Sequence, residues 1–337
     1  MTKQYTRTLG FAALAAVMIA VAGCGTTAGS ASASNQASGA APATSTSKGT
    51  IRIGYQLYGT TVMMMYRGQL TSQLEKLGYK VQWIQFEGGP QLLQAMNAGS
   101  IDLGETGDTP PIFAQSGGTP LVYLAHEPAS PQAEAIVVPQ NSPIKSVKDL
   151  KGKTVAFNKG SNVEYLLVEQ LKKAGLSFND ITPDYLTPSD GRAAFQSGKV
   201  AAWVIWDPYY AAAQTATHAV TIADGTGVTN NYQFYFATKS FAQEHPDIVQ
   251  DYLKALQQTD TWVESNKSQA AKFLAPKMDI DAKSLETALG RRGYGVEPMT
   301  SDVIQEQQDI ANTFYSLKLI PNAITVKDDV WSGKPQV

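Results

Sequence analysis

From Thr50 onward the apolar positions fall into short runs at strand spacing, separated by stretches in which apolar residues recur at helical spacing. IRIGYQ, VQWIQF and SIDLGETG read as strands, GQLTSQLEKLG and PQLLQAMNAG as the helices between them, and Thr109 precedes Pro110-Pro111 at the head of a further helix. A second stretch follows the same plan. TVAFNK is a strand, and Ser161 precedes VEYLLVEQLKKAG with Glu164 three residues on, the spacing of a capping box. A short extended segment surrounds Tyr185, and GRAAFQSG reads as a helix. KVAAWVIW then runs into Asp207-Pro208, where the aspartate is placed to cap and the proline to take the first helical position. Gly78 and Gly175, Gly99 and Gly198, and Pro110 and Pro208 lie 97, 99 and 98 residues apart. That agreement predicts two similar α/β lobes with mostly parallel sheets. The apolar runs AEAIVVP (133–139) and YQFYFATK (232–239) flank the second copy and predict two crossing strands and a hinge, with residues 50–138 and 240–337 in one lobe and 139–239 in the other. After Lys239 the pattern is helical: Pro246 opens a helix with Val249, Leu253 and Leu256 on its apolar face, and later helices cover about 269–274, 282–289 and 302–317. This tail is expected to return to the first lobe.

Sheets of this kind hold ligands beyond the carboxyl ends of their strands. Those ends carry Gln56, Tyr58, Gly59 and Thr60, then Thr106, Gly107, Asp108 and Thr109, then Ser161 and Asn162, and finally Trp206 and Asp207. A helix start presents free backbone N–H groups and a positive dipole end, so four of them facing one cleft suit an anion. Backbone N–H groups near Thr60, Thr109, Ser161 and Asp207, and the side chains of Gln56, Thr106 and Asn162, are the expected donors. Each cap alone is also explained by plain helix termination; it is the convergence of four that points to a ligand. Trp206 and Tyr235 are either walls for the apolar part of a ligand or core aromatics. Arg291-Arg292 either compensates a helix dipole or pairs with the anion.

Composition narrows the chemistry. The 337 residues are 43% apolar, enough for two cores, and 27 basic against 29 acidic residues leave no basic stripe for a nucleic acid. The three histidines, His126, His218 and His245, show no metal-ligand spacing. The segment Asn158 to Asn162 has a glycine but lacks a Walker spacing, and Gly225-Thr226-Gly227 lacks both a third glycine and a following helix. Binding without catalysis, metal or cofactor is the expectation. At the N-terminus Lys3 and Arg7 precede an apolar run from Phe11 to Ala22 that ends in Val21-Ala22-Gly23-Cys24. This resembles a lipoprotein signal, with residues 1–23 removed and Cys24, the single cysteine of the chain, lipidated. Residues 24–49 are rich in Gly, Ser, Ala and Thr and read as a flexible tether with a reach of about 25–30 Å.

The stretches GETGDTPPIFAQ, VAFNKGSNVEYLL and WVIWDPYYAAA, joined by IGYQLYG, GGPQLLQAMNAGSIDLG, EPASPQAEAIVVP, NNYQFYF and RRGYGV, closely resemble those of substrate-binding lipoproteins of ABC transporters for aliphatic sulfonates. The resemblance covers roughly Thr50 to the C-terminus. It implies an α/β fold of the type II periplasmic-binding-protein class, two lobes joined by two crossing strands, closing on a small sulfonate and delivering it to membrane permease subunits. It also implies a monomer held by its lipid at the extracytoplasmic face of the cell membrane, on the periplasmic side where there are two membranes. Relatives bind taurine, nitrate or thiamine-precursor pyrimidines, so a taurine- or nitrate-type receptor, or a pyrimidine-synthesis enzyme on the same scaffold, are the alternatives. Two positions depart from the family's pattern: Leu57 stands where lysine is common, and Glu105 where an aromatic is common. Both make that neighbourhood less positive and give weight to a ligand bearing an amine. Because a sulfonate keeps one charge across physiological pH, its affinity is expected to be flat from about pH 5 to 8, whereas a phosphate, with a second pKa near about 6, would show a slope.

Overall fold

In the computed structural model, which describes residues 48–337, the strand runs pair into two five-stranded sheets. The first sheet uses β1 (Gly49–Gln56), β2 (Tyr79–Phe86), β3 (Leu103–Gly107) and β4 (Leu121–His126). Helices α1 (Thr60–Arg67) and α2 (Gln69–Lys76) follow β1, while α3 (Gly89–Asn97) and α4 (Pro110–Ser116) lie on either side of β3 in the chain. The second sheet uses β5 (Glu134–Val138), β6 (Thr154–Phe157), β7 (Thr182–Tyr185), β8 (Ala202–Trp206) and β9 (Val220–Asp224), with helices α5 (Asn162–Lys173), α6 (Pro188–Gln196) and α7 (Tyr209–Thr217). The chain returns through β10 (Gln233–Thr238) to the helices α8 (Lys239–Glu244), α9 (Pro246–Ser265), α10 (Lys267–Met278), α11 (Ala282–Arg291) and α12 (Ser301–Ser316).

Strand order is β2-β1-β3-β10-β4 in the first sheet and β7-β6-β8-β5-β9 in the second. In each, three parallel strands are followed by an antiparallel strand that arrives from the other sheet. The run 133–139 is therefore a strand of the second sheet and the run 232–239 a strand of the first, which corrects the crossing-strand expectation and its boundaries. The crossings are residues 127–133 and 225–232. The reason is burial: every residue of β5 is buried, and a strand apolar on both faces needs packed layers above and below that a hinge does not offer.

Each face of the first sheet carries its own core. Ile51, Ile53 and Tyr235 pack with Leu70, Leu74, Tyr252 and Leu256 on one side, while Phe234 and Phe236 pack with Leu92, Ile101 and Phe314 on the other. The alternation along β10 is the two-residue period of a strand buried on both faces. Close helix packing on the second side depends on glycine: a Cβ at Gly104 would lie 2.7 Å from Leu92 Cδ2, and one at Gly54 would lie 2.7 Å from Ile101 Cδ1. The tail completes the first lobe as expected, because α9 supplies Tyr252, Leu253 and Leu256 to one face and α12 supplies Ile310 and Phe314 to the other.

Candidate functional site

The lobes meet over a cavity of about 70 Å³, room for a few water molecules or one small anion. Six of the expected residues line it: Gln56, Tyr58, Gly107, Asn162, Trp206 and Asp207. The other seven lie behind this wall. Thr60 is buried between Glu127 and Asp260, Ser161 donates its hydroxyl to Asn158 O at 2.6 Å, and Thr109 donates to Asp108 Oδ1 at 2.9 Å. Thr106, buried, bonds to Gly107 O, and Tyr235 is a core aromatic whose hydroxyl donates to Glu127. Gly59 packs against Glu105, and Asp108 lines a separate cavity beside Gln307.

The side chains expected to donate to a ligand are engaged elsewhere. Gln56 Nε2 donates to Glu105 O at 3.2 Å, and Asn162 Nδ2 donates to Glu134 Oε2 at 2.7 Å and Asn231 Oδ1 at 3.0 Å. The aspartate expected to cap α7 accepts from Ala211 N at 3.0 Å, but α7 opens at Tyr209, one residue later than expected, with Pro208 in the cap position. Asp207 also accepts from Arg291 Nη1 at 3.2 Å, and this pair joins the end of α11 to the second lobe.

The residue that composition and spacing left undecided is central here. Among the described residues lining the cavity, Arg292 is the one cation. Its Nη2 donates to Glu127 Oε1 at 2.5 Å, and its guanidinium lies 5.6 Å from the centre of the Tyr58 ring. Burial opposes the charge, yet Glu127 and then Glu105 hold the Arg292 pKa well above its ordinary value. Glu105, whose charge gave weight to a ligand bearing an amine, is fully buried beneath Gly59. A Cβ at Gly59 would lie 2.5 Å from Glu105 Oε1 and 3.2 Å from Arg292 Nη1, and the φ of 134° there suits glycine alone. Burial pushes the Glu105 carboxyl up to about 7 against the pull of Arg292, and burial with Glu127 raises Asp260 well above the carboxylate range. Leu57 is not part of the cavity wall.

Two buried donors in this wall have no partner: the Tyr58 hydroxyl and Arg292 Nε. Glu127 Oε1 is occupied by Arg292 and Tyr235, and Asp207 by Ala211 and Arg291, whereas both carboxyl oxygens of Glu105 beneath Gly59 accept no hydrogen bond. Unspent donors beside the cavity's cation suit a group that accepts hydrogen bonds and carries negative charge.

The NMT1/THI5 like family matches residues 62–270. The chain belongs to that family. Over 292 residues, 86% of this chain and 91% of the relative, it is 41% identical to the putative aliphatic sulfonates-binding protein of Escherichia coli (strain K12). The putative aliphatic sulfonates-binding protein of Bacillus subtilis (strain 168) is 32% identical over 324 residues, 95% of this chain and 94% of that protein. Among solved structures, the alkanesulfonate-binding protein SsuA from Xanthomonas axonopodis pv. citri, bound to MOPS, superposes with a TM-score of 0.80 at 40% identity, covering 84% of this chain and 98% of that one. The fold is that of the periplasmic binding proteins. Of the cavity residues that the cap-and-helix pattern missed, Arg292 and Glu127 stood in stretches shared with the family, RRGYGV and EPASPQAEAIVVP, but carried no periodic or capping signal of their own.

Proposed function

We propose that this chain is the solute-binding component of an ABC importer, capturing an aliphatic sulfonate between its lobes and presenting it to the permease. The observation that carries the reading is the pair of unspent donors, Tyr58 Oη and Arg292 Nε, on residues that line the cavity, one of them its cation. A sulfonate group has three acceptor oxygens, one negative charge and no proton to donate, and so matches those donors and the arginine charge. The names of the family's relatives at 41% and 40% identity support the same ligand class. Support for lobe closure comes from the bridges across the cleft, Arg291 to Asp207 and Ser189 to Glu87.

The protein acts outside the cytoplasm as a monomer tethered through lipid on Cys24. That cysteine, the signal 1–23 and most of the tether lie outside the described residues, and the support for anchoring is the Val21-Ala22-Gly23-Cys24 motif. Among the described residues no helix is long and apolar enough to cross a membrane. Calorimetric titration with ethanesulfonate, sulfate, nitrate and phosphate tests the proposal. Heat from ethanesulfonate is expected; silence from it, with heat from an inorganic anion, refutes the sulfonate assignment.

A further inference from the structure

A second cavity of about 560 Å³ lies next to the first, with Pro110 forming part of the wall of both and Gly89 and Pro90 facing one each. It lies between α3 and α4 of the first lobe and residues 158–160 and 185–187 of the second. Its lining mixes apolar groups, Leu93, Phe113 and Leu186 among them, with the side-chain amides of Gln91 from the first lobe and Asn158 from the second. A Cβ at Gly88 would lie 3.1 Å from Gln91 Oε1 and 3.5 Å from Asn158 Oδ1, so the two carbonyl oxygens lie near each other beside Gly88. Both oxygens are buried and neither accepts a hydrogen bond. The orientation of Asn158 is set by its own amide, which donates to Leu186 O at 3.3 Å, and the residue is only 5% exposed. The nearby cation, Lys159, rests over the Tyr185 ring with its Nζ 5.1 Å from the ring centre.

We infer that this outer cavity is a second subsite, in which Gln91 and Asn158 accept from a hydroxyl or amine carried on the tail of the bound sulfonate. The inference rests on the inner cavity holding the sulfonate group. The two subsites are complementary in kind: the inner one has unspent donors and takes an acceptor, while the outer one has unspent acceptors and takes a donor. A buried carbonyl without a donor is costly, so a ligand that supplies one gains over a ligand ending in a methyl group. The preferred substrates are alkanesulfonates bearing an O–H or N–H group at the far end, with a chain long enough to pass Pro110.

Calorimetry on the full body with ethane- to hexanesulfonate, each against its ω-hydroxy and ω-amino counterpart, tests this and separates the two donors. At one chain length the donor-bearing ligand is expected to bind about tenfold more tightly, the equivalent of about 1.4 kcal/mol. Asn158→Leu and, independently, Gln91→Met at a half-buried site should abolish that gain and leave the ethanesulfonate Kd within about twofold. Equal binding of donor-bearing and methyl-ended ligands at every length, or a gain that survives both substitutions, overturns the subsite. Absence of ethanesulfonate binding in the unaltered protein instead overturns the reading of the inner cavity, and the subsite with it.

Discussion

Glu105 governs the charge beneath the cleft floor. When ionised it faces Arg292 together with Glu127 and lowers the attraction of that arginine for an anion; when protonated it leaves Glu127 as the principal counter-charge. Its carboxyl is pushed up to about 7 by burial, above an ordinary value of 4.5. The neutral form is thus the one the fold prefers, and its stabilising contribution is complete below pH 4.5 and lost as pH rises through about 7. Glu105→Gln, which keeps the shape and removes the titration, should raise stability at pH 8 by about 2 kcal/mol in denaturant unfolding and leave it nearly unchanged at pH 4. The same variant should bind ethanesulfonate about threefold more tightly at pH 8, measured by calorimetry.

At the scale of elements, the helix starts divide into those that only end a helix and those that join the lobes. Thr187 Oγ1 accepts from Asp190 N at 3.3 Å and caps α6 at an exposed corner. Ser161 heads α5 without capping it, and Glu164, three residues on, accepts from Gly160 N and not from Ser161 N, so the expected box is not formed. Asp207 binds its own helix through Ala211 N and the other lobe through Arg291. Thr187→Ala should therefore cost about 1 kcal/mol of stability with ethanesulfonate affinity unchanged. Asp207→Asn, which keeps an acceptor for Ala211 but weakens the bridge to Arg291, should shift the melting temperature little and weaken affinity about tenfold. The element types and their order were legible from periodicity, proline and capping residues because these depend on neighbours within a turn or two.

At the scale of the whole molecule, closure brings acids from the two lobes together. Asp108 belongs to the first lobe and Glu134 to the second, where Glu134 accepts from Asn162 and from Thr229 Oγ1. Burial pushes Asp108 up to about 7, and burial together with Asp108 raises Glu134 well above the carboxylate range. Separated lobes would rehydrate both groups and return them toward ordinary values, so the closed form binds more protons than the open one. Affinity for a sulfonate should then rise as pH falls from about 8 to 6, even though the ligand's own charge is constant; the flat profile expected from the ligand alone is replaced by a protein-driven slope. Calorimetry at pH 7 in buffers of differing ionisation enthalpy should show proton uptake on binding, and its absence would mean that the acids titrate alike in both forms.

The pattern along the chain was sufficient to set out strands, helices, two copies of one α/β plan and the carboxyl strand ends that face the cavity, because each of these rests on short-range periodicity and backbone capping. Tertiary packing decided what those ends do. It placed β5 and β10 in the opposite sheets from those expected, engaged the side chains of Thr106 and Asn162 in the protein's own hydrogen bonds, and set Arg292 against Glu127, 165 positions away in the chain. Burial and charge pairing depend on which distant segments share a core, and only the folded chain brings those segments into contact.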